Sequence, residues 1–307
     1  MAIRRGLVLG CGGTVGGAWT VGALAAVADE LGWDPRTAEV IVGTSSGSSI
    51  AAMLGAGISS DELVAAQRGA GPAAARRYFM DPPAALPPVP WPVPTSVGLA
   101  AGSAARGDML GTLSGLAPSG RGDTGFLHAL ADALCSEPGW VAHPATWIVA
   151  VDLGTGGRVA FGRPGHPQVP LGHALRASWA VPGWYAPVSA HGRRYADGGI
   201  VSPGSADLLA GLGLDEVVVI APMASQGPLP ARGLGGRLEG LVRRPLSRVL
   251  DAEIAILEAG GTRVLRRHPD PAALAAMGAN FMDPAARERA LDAALAQAAP
   301  AAGAAVA

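Results

Sequence analysis

A serine enclosed by glycines follows the apolar run EVIV, and residues 43–47 read Gly-Thr-Ser-Ser-Gly. This matches G-x-S-x-G, in which a serine on a cramped turn between a strand and a helix acts as a nucleophile. Helix capping is the competing interpretation, because serine is a preferred residue at helix N-termini. The strand before Ser45 and the helix after it favour a nucleophile, with Gly43 and Gly47 supporting the turn. The other hydroxyls of this stretch are expected to be caps or helix-facing groups: Ser46, Ser48 and Ser49.

A second glycine-rich segment, Gly10–Gly17, follows the first apolar run of the chain. A dinucleotide site fits poorly, since G-x-G-x-x-G starting at Gly10 needs a small residue where Val15 stands. The acid expected at the end of the second strand is also missing, and Asp34, at about the right distance, precedes that strand. The other interpretation is a cradle of backbone amides for an oxyanion. Because consecutive strands are often neighbours, this loop is expected to share a sheet edge with Ser45.

A serine nucleophile needs a group that takes its proton, and none of the six histidines lies in a distinctive setting. The segment YADGGIV instead places Asp197 after a short strand and before Gly198 and Gly199. Two glycines let the backbone turn sharply, so a plain Asp-Gly turn is the simpler interpretation. A catalytic carboxylate is the other, and these residues alone leave both open.

The elements that would position these residues alternate between strand and helix. Strands are predicted at Arg4–Leu9 and Glu39–Val42, with helices over residues 18–31 and from about Ser46 onwards. This order predicts a mostly parallel sheet covered by helices on both faces. Further along the chain, the patterns predict a hairpin (ATWIVAVDL and VAFG), a helix (LGHALRASW), a short strand (RRYAD), a last central strand (DEVVVIAPM) and a helix over Leu241–Leu257.

Composition excludes several classes of protein. Hydrophobic residues make up 49% of the 307 and charged residues 15%, which is typical of a globular chain. A net charge of −1 gives no electrostatic basis for binding nucleic acid. All 23 basic residues are arginine, which excludes a phosphate-loop lysine, a pyridoxal phosphate Schiff base and a Ser–Lys hydrolase. Two distant cysteines, Cys11 and Cys135, do not predict a disulfide framework.

The ends and the middle of the chain set its predicted organisation. An uncharged run from Gly6 to Ala28 resembles a signal peptide, but its seven glycines suit a loop better, so secretion is disfavoured. A cytoplasmic protein, at most peripheral at a membrane, is expected. One domain is predicted over residues 1–290, with a proline-rich insertion at about 71–124 and a low-complexity tail at 291–307 that frays. The insertion is either a surface addition or a lid.

Three segments together carry a resemblance to a known family. In order and with similar spacing, LVLGCGGTVGGAWTVGAL, IVGTSSGSS and ASWAVPGWYAPV with RRYADGGIVSP resemble the patatin-like phospholipases. The resemblance covers most of the chain apart from the insertion and the tail. It implies a three-layer α/β/α sandwich with a mostly parallel central sheet. It also implies a serine acyl hydrolase that acts on carboxylic esters through a Ser–Asp dyad without histidine.

The resemblance assigns roles residue by residue. Ser45 would be the nucleophile and Asp197 the base, with its pKa raised by burial. The oxyanion hole would come from Gly12 and Gly13, with Gly16 closing the loop. It implies no metal or organic cofactor, and a lipid or other acyl-ester substrate. It does not indicate an oligomeric state.

Two departures from the family pattern bear on the substrate. Cys11 stands where the family usually has glycine, and Val15 stands where arginine is common, which puts preference for phospholipid in doubt. Aromatic residues are expected in an acyl channel, in transient contact with a membrane surface, or in the core: Trp91, Trp179, Trp184 and Tyr185. Arg76 and Arg77 would attract anionic lipid or simply be solvated. A catalytically inactive lipid-binding or scaffold protein, and a nucleotide-binding α/β protein, remain alternatives.

Overall fold

The computed structural model describes residues 3–135, 139–225 and 233–298. Its strands are β1 (Arg5–Leu9), β2 (Val40–Thr44), β3 (Trp91–Pro94), β4 (Pro118–Ser119), β5 (Thr146–Asp152), β6 (Arg158–Phe161), β7 (Val188–Ala190), β8 (Arg193–Asp197), β9 (Glu216–Ile220) and β10 (Arg263–Arg267).

Its helices are α1 (Gly13–Leu31), α2 (Ser46–Gly55), α3 (Ser60–Gln67), α4 (Ala73–Met80), α5 (Val97–Ala105), α6 (Met109–Leu116), α7 (Gly125–Leu134), α8 (Leu171–Ser178), α9 (Gly233–Ala259), α10 (Pro271–Met277) and α11 (Arg287–Ala298). Short 3₁₀ turns occupy Pro35–Thr37, Gly198–Ile200, Ala206–Leu209 and Pro284–Ala286.

The main sheet follows the hydrogen-bonded order β10-β9-β1-β2-β5-β8-β7, and β6 also pairs with β5. The five strands from β10 to β5 are parallel, whereas β6, β8 and β7 join antiparallel. Strands β3 and β4 form a separate two-stranded antiparallel ladder.

Apolar residues alternate along the central strands and cover both faces of the sheet. In β1, Leu7 and Leu9 face the larger core cluster, which includes side chains of α1, α2, α8 and α11. Val8 faces the opposite cluster, which includes side chains of α9. Burial on both faces is typical of parallel sheets. The three-layer α/β/α sandwich with a mostly parallel sheet, expected from the sequence, is therefore confirmed.

One element prediction needs correction, and one strand was not predicted. The predicted glycine loop is shorter, because α1 begins at Gly13 and takes in Gly16 and Gly17. These glycines let α1 approach its neighbours, since a Cβ on Gly16 would lie 3.2 Å from Pro222 and one on Gly17 would lie 3.3 Å from Ser46. Strand β9 is the last central strand along the chain, and the sequence did not predict the edge strand that follows it. The arginine-rich β10 pairs beyond it, and its sequence RVLRR carries too few apolar residues to predict a strand.

The predicted insertion and tail both contain regular structure. Helix α4 buries Ala75 and Phe79 in the main core, so the part of the insertion outside the core begins near Asp81. Beyond the extended proline-rich segment, α5 and α6 form a helical hairpin. The prediction of a fraying tail from residue 291 is wrong as far as residue 298, because α11 buries Leu291 and Ala294 against α1. Residues 299–307 lie outside the described part.

Candidate active site

Ser45 occupies the turn between β2 and α2. Its backbone has φ 55° and ψ −124°, a conformation that a residue with a side chain rarely adopts. Its side chain makes no capping hydrogen bond to α2, although the residue is the N-cap by position. The capping interpretation is therefore wrong for Ser45. The residue is only 3% exposed, so this strained turn holds a buried hydroxyl.

The glycines on either side of Ser45 are required by close packing. A Cβ on Gly43 would lie 2.6 Å from the carbonyl oxygen of Gly47, and one on Gly47 would lie 2.1 Å from that of Leu9. Neither position has room for a larger residue. The G-x-S-x-G pattern thus reflects a turn pressed between β1 and α2.

The neighbouring serines have structural contacts. Ser48 donates its hydroxyl to the carbonyl oxygen of Ser45 at 2.6 Å, and Ser49 accepts from the indole of Trp179 at 3.0 Å. The hydroxyl of Ser46 is buried without a hydrogen-bond partner in the described structure. Ser45 is the member of the group whose side chain reaches a carboxylate.

That carboxylate belongs to Asp197, at the end of β8. The Ser45 hydroxyl lies close enough to lower the pKa of this carboxyl group, and the amide of Gly199 donates to its Oδ1 at 2.7 Å. Asp197 is 3% exposed, and burial raises its pKa to about 7 against the opposing effect of the Ser45 hydroxyl and the Gly199 amide. The expected rise in pKa is thus present. A carboxyl group with this pKa exchanges protons readily near neutral pH.

Sheet register brings the two residues together. Thr44 at the end of β2 pairs with Val149 of β5, and Asp197 at the end of β8 pairs with Ala150, the next residue of β5. Strand β6 pairs with β5 across both levels and so occupies the opposite edge. Strands β2 and β8 therefore run toward each other along the same edge of β5, and their C-terminal ends meet there. Gly198 fits this junction, where a Cβ would lie 3.0 Å from the methyl group of Thr44.

The start of α1 supplies two backbone amides beside this pair. Gly12 is the N-cap and Gly13 the first residue of α1, and their amides donate no hydrogen bond to any described residue. Gly13 has φ +61°, and a Cβ there would lie 2.5 Å from both the ring and the carbonyl oxygen of Phe281. Free amides at a helix N-terminus favour an anion.

Gly16 is not part of this pair of donors. Its amide donates to the carbonyl oxygen of Gly12 at 2.9 Å, within the first turn of α1. Gly16 instead packs closely against Gly12, since a Cβ on Gly12 would lie 2.8 Å from the Cα of Gly16. Its predicted role in closing the loop is therefore steric.

Two further residues brace the site, and the sequence did not point to either. Ser178, at the end of α8, accepts from the amide of Ser45 at 2.8 Å and donates to the carbonyl oxygen of Val149 at 2.6 Å. Arg243 of α9 is buried and donates to the carbonyl oxygen of Pro222 at 2.6 Å. Pro222 packs on Gly12, so Arg243 acts on the loop through it. Both contacts join residues distant in the chain, and neither leaves a local sequence pattern.

Cys11 also lies at the site. It is buried, and its sulfur lies 3.0 Å from the position that a Cβ on Gly199 would take. Burial and the nearby charge of Asp197 raise the pKa of the thiol far above its ordinary value. The thiol therefore stays protonated and contributes an apolar surface, not a nucleophile.

A cavity of about 340 Å³ opens onto these groups. Besides Ser45 and Asp197, its lining is mostly apolar; α6 contributes Leu110, Leu113 and Ser114, and Ala117 follows directly after the helix. Val181 and Ile200 face it from the sheet side, and Met223, Leu246 and Phe281 from the C-terminal third of the chain. An apolar cleft with few polar groups at one end suits a ligand with an apolar chain and one polar function.

The aromatic residues are divided among different surroundings. Trp179 and Tyr185 are buried in the core, whereas Trp91 is 54% exposed. Trp184 lines a separate cavity of about 540 Å³ beneath the proline-rich segment, which contains neither Ser45 nor Asp197. Its ring lies 5.7 Å from that of Phe281, so this aromatic pair stands between the two cavities.

Other sequence candidates lie elsewhere. None of the histidines lines the 340 Å³ cavity. Asp34 caps the turn Pro35–Thr37 and pairs with Arg36, so it is a structural residue. Across the described ranges, no three His, Cys, Asp or Glu side chains cluster in a way that would hold a metal ion. In the same ranges, no helix is long and apolar enough to cross a bilayer.

Comparison with known proteins agrees with the fold and the motifs. The family model described as Patatin-like phospholipase matches residues 7–210, which is more than half of the chain. The chain therefore belongs to the patatin-like phospholipase family, and the resemblance seen in the sequence is confirmed. A search of curated proteins found no match. At the level of the family, the chain is a hydrolase whose substrates are lipid esters.

Proposed function

We propose that this protein hydrolyses carboxylic esters of lipids, with Ser45 as the nucleophile, Asp197 as the base, and the amides of Gly12 and Gly13 as oxyanion donors. One observation carries the proposal: the buried Ser45 hydroxyl lies beside a carboxyl group whose pKa is about 7, at one end of an apolar cavity. Family membership supports the same reaction class.

The first half of the reaction forms an acyl-enzyme. The Oγ of Ser45 attacks the ester carbonyl carbon while its proton passes to the Asp197 carboxylate. The carbonyl oxygen becomes an oxyanion and accepts hydrogen bonds from the Gly12 and Gly13 amides. The bond to the alkoxy oxygen then breaks, and the alcohol leaves with the proton held by Asp197.

The second half releases the fatty acid. Water attacks the acyl carbon and gives a proton to Asp197, and a second oxyanion forms at the same amides. The bond from the carbonyl carbon to Ser45 Oγ breaks, and the proton returns to that oxygen. One ester and one water give one acid and one alcohol, and the protein is unchanged.

Hydrolysis of p-nitrophenyl esters of graded chain length tests the proposal. Ser45→Ala and Asp197→Asn should each lower kcat/KM by about 10²–10⁴-fold or more, because nucleophile and base are both lost from the reacting atoms. Ser189→Ala, at an exposed position of β7, and Asp132→Asn, at an exposed position of α7, are matched controls. Circular dichroism and thermal unfolding establish that each variant is folded.

A labelling experiment separates catalysis from lipid binding. A fluorophosphonate with an alkyl chain should add covalently to Ser45 in the wild type and not in Ser45→Ala, as read by peptide mass. Wild-type hydrolysis retained in Ser45→Ala would disprove the proposal. Binding of a fatty acid without any turnover or labelling would favour the lipid-binding or scaffold alternative.

A further inference from the structure

Exposed apolar side chains are concentrated in one part of this protein. In the described ranges, eleven large hydrophobic residues are exposed, and nine of them lie between residues 80 and 116. We call these nine the apolar surface: Met80, Leu86, Val89, Trp91, Val93, Val97, Met109, Leu113 and Leu116. The other two, Ile3 and Ile256, lie far apart in the chain. A concentration of this kind marks a site of interaction with a partner or a lipid phase.

Helix α6 connects the apolar surface to the cavity. Leu110 and Leu113 line the 340 Å³ cavity, while Met109 and Leu116 are 54% and 58% exposed. Leu113, which is 58% exposed, belongs to both. A solvated helix normally presents polar and charged residues outward. The sequence of α6, MLGTLSGL, contains no charged residue. Its outward face therefore suits an apolar medium.

The partner helix α5 makes this hairpin compact. Gly115 lets α6 approach α5, since a Cβ there would lie 2.5 Å from the amide nitrogen of Ala100. The hairpin is fixed to the sheet, because Ser96 donates to the carbonyl oxygen of Leu153 at 3.2 Å and Arg194 donates to that of Thr95 at 3.1 Å. The outward face of α6, with Met109, Leu113 and Leu116, is thus held in a defined position beside the cavity.

The charge around the apolar surface indicates which kind of lipid surface it suits. Residues 76–123, which include the exposed Arg76 and Arg77, contain four arginines and three aspartates, so the region carries a formal charge of only +1. Arg121 stacks over the ring of Trp91 at 4.3 Å, which places an amphipathic aromatic group at the edge of the apolar surface. Attraction to anionic lipid requires clustered basic residues, so a zwitterionic or neutral lipid surface fits better.

We propose that the apolar surface docks on the lipid–water interface of zwitterionic or neutral lipid, and that acyl chains pass from that phase beside α6 into the cavity. The identity of those chains as substrate rests on the proposed function, whereas docking does not. The cavity opens beside the docked face, so an ester would reach Ser45 without crossing water. Of the two interpretations of the insertion that the sequence left open, this proposal favours the lid, with α6 as the wall between lipid and cavity.

Flotation with phosphatidylcholine vesicles tests docking without hydrolysis, using Ser45→Ala as the parent protein. The triple substitution Val93→Ser, Met109→Ser and Leu116→Ser should lower the vesicle-bound to free ratio roughly tenfold or more, because apolar area is lost from the docked face. Ile256→Ser, an exposed position outside the apolar surface, is the matched control and should leave the ratio unchanged. Adding phosphatidylserine should not strengthen binding, and high salt should not weaken it.

The outcomes separate the two proposals. In the catalytically intact background, the triple variant should lose more kcat/KM on vesicle lipid than on p-nitrophenyl butyrate. Flotation by wild type without hydrolysis would keep docking and remove the proposed function. Hydrolysis without flotation, or equal flotation of the triple variant, would overturn docking. A dimer in analytical ultracentrifugation that the triple variant converts to monomer, with no vesicle binding, would show that a second copy covers this surface instead.

Discussion

The amide nitrogen of Ser45 lies 2.8 Å from the hydroxyl oxygen of Ser178, and this hydroxyl in turn donates to the carbonyl oxygen of Val149 at 2.6 Å. A single buried side chain thereby joins the strained turn of Ser45 to the middle of β5. The turn needs such a tie, because φ 55° at a residue with a side chain costs on the order of 1–3 kcal/mol.

Removing the Ser178 hydroxyl should loosen this turn. Ser178→Ala leaves a buried donor and a buried acceptor unpaired, so we expect the free energy of unfolding to fall by about 1–3 kcal/mol. We also expect kcat to fall about tenfold with little change in KM, since the substrate cavity does not include Ser178. Urea unfolding and steady-state kinetics measure both, with the exposed Ser189→Ala as control. A normal kcat in a destabilised Ser178→Ala protein would show that the tie serves stability alone.

The activity should depend on pH through Asp197. Its carboxylate accepts a proton only when ionised, and its pKa is about 7. We therefore expect kcat/KM to fall as the pH drops below about 7 and to level off above it. The pH profile of p-nitrophenyl ester hydrolysis measures this. An acid limb near pH 4 would mean that Asp197 is not the group that titrates.

The free energy of unfolding should depend on pH in the opposite direction, falling as the pH rises. The folded pKa of Asp197 lies above the ~3.9 of an unfolded aspartate, so the folded state binds the proton more tightly. This group therefore lowers the free energy of unfolding as the pH rises from about 4 to about 7. Asp197→Asn should be more stable than wild type by ~2–4 kcal/mol at about pH 8, and by less at about pH 5. Denaturant titrations at both pH values test it, and an equal difference at both would contradict it.

Gly13 should not tolerate a side chain. A Cβ at this position, with φ +61°, would meet both the ring and the carbonyl oxygen of Phe281 at 2.5 Å. Gly13→Ala should displace an oxyanion donor and lower kcat by about 10²–10³-fold, even where the protein folds. Gly98→Ala is a matched control, because the nearest atom to its new Cβ would be 3.9 Å away. Near wild-type kcat in Gly13→Ala would remove this amide from the mechanism.

Half-buried and exposed ion pairs should differ in their effect on stability. Arg158 donates to both oxygens of Asp207 at 2.6 Å and to Glu253 at 2.9 Å, joining β6 to the turn Ala206–Leu209 and to α9. Arg158→Met would leave these carboxylates without a counter-charge and should cost about 3 kcal/mol of unfolding free energy at neutral pH. Arg68→Met breaks only the exposed pair with Asp292 and should cost no more than about 1 kcal/mol. Equal losses in urea titrations would contradict this.

Local patterns in the sequence predicted the main residues of the candidate site. Ser45 and Asp197 were recognisable because each follows a strand and precedes residues that permit a sharp turn. What brings them together is the register of β5, which pairs with both of their strands, and no local pattern records that register.

The errors in prediction have physical causes as well. Gly16 and Gly17 suggested a loop, but a helix accepts glycine where it packs closely on its neighbours. Leu291 and Ala294 suggested only low complexity, although their spacing of three places them on one buried face of α11. Ser178 and Arg243 act through partners far away in the chain, so single-sequence patterns contain no trace of them.

The family match ends at residue 210, but residues beyond that point also line the cavity. Met223, Leu246 and Phe281 come from later in the chain, and β9 covers the edge of β1 that a shorter protein would expose. An expression fragment trimmed to the matched region would therefore present an unpaired apolar strand edge and would aggregate more readily than fold. The smallest working unit of this protein extends at least to the loop of Phe281.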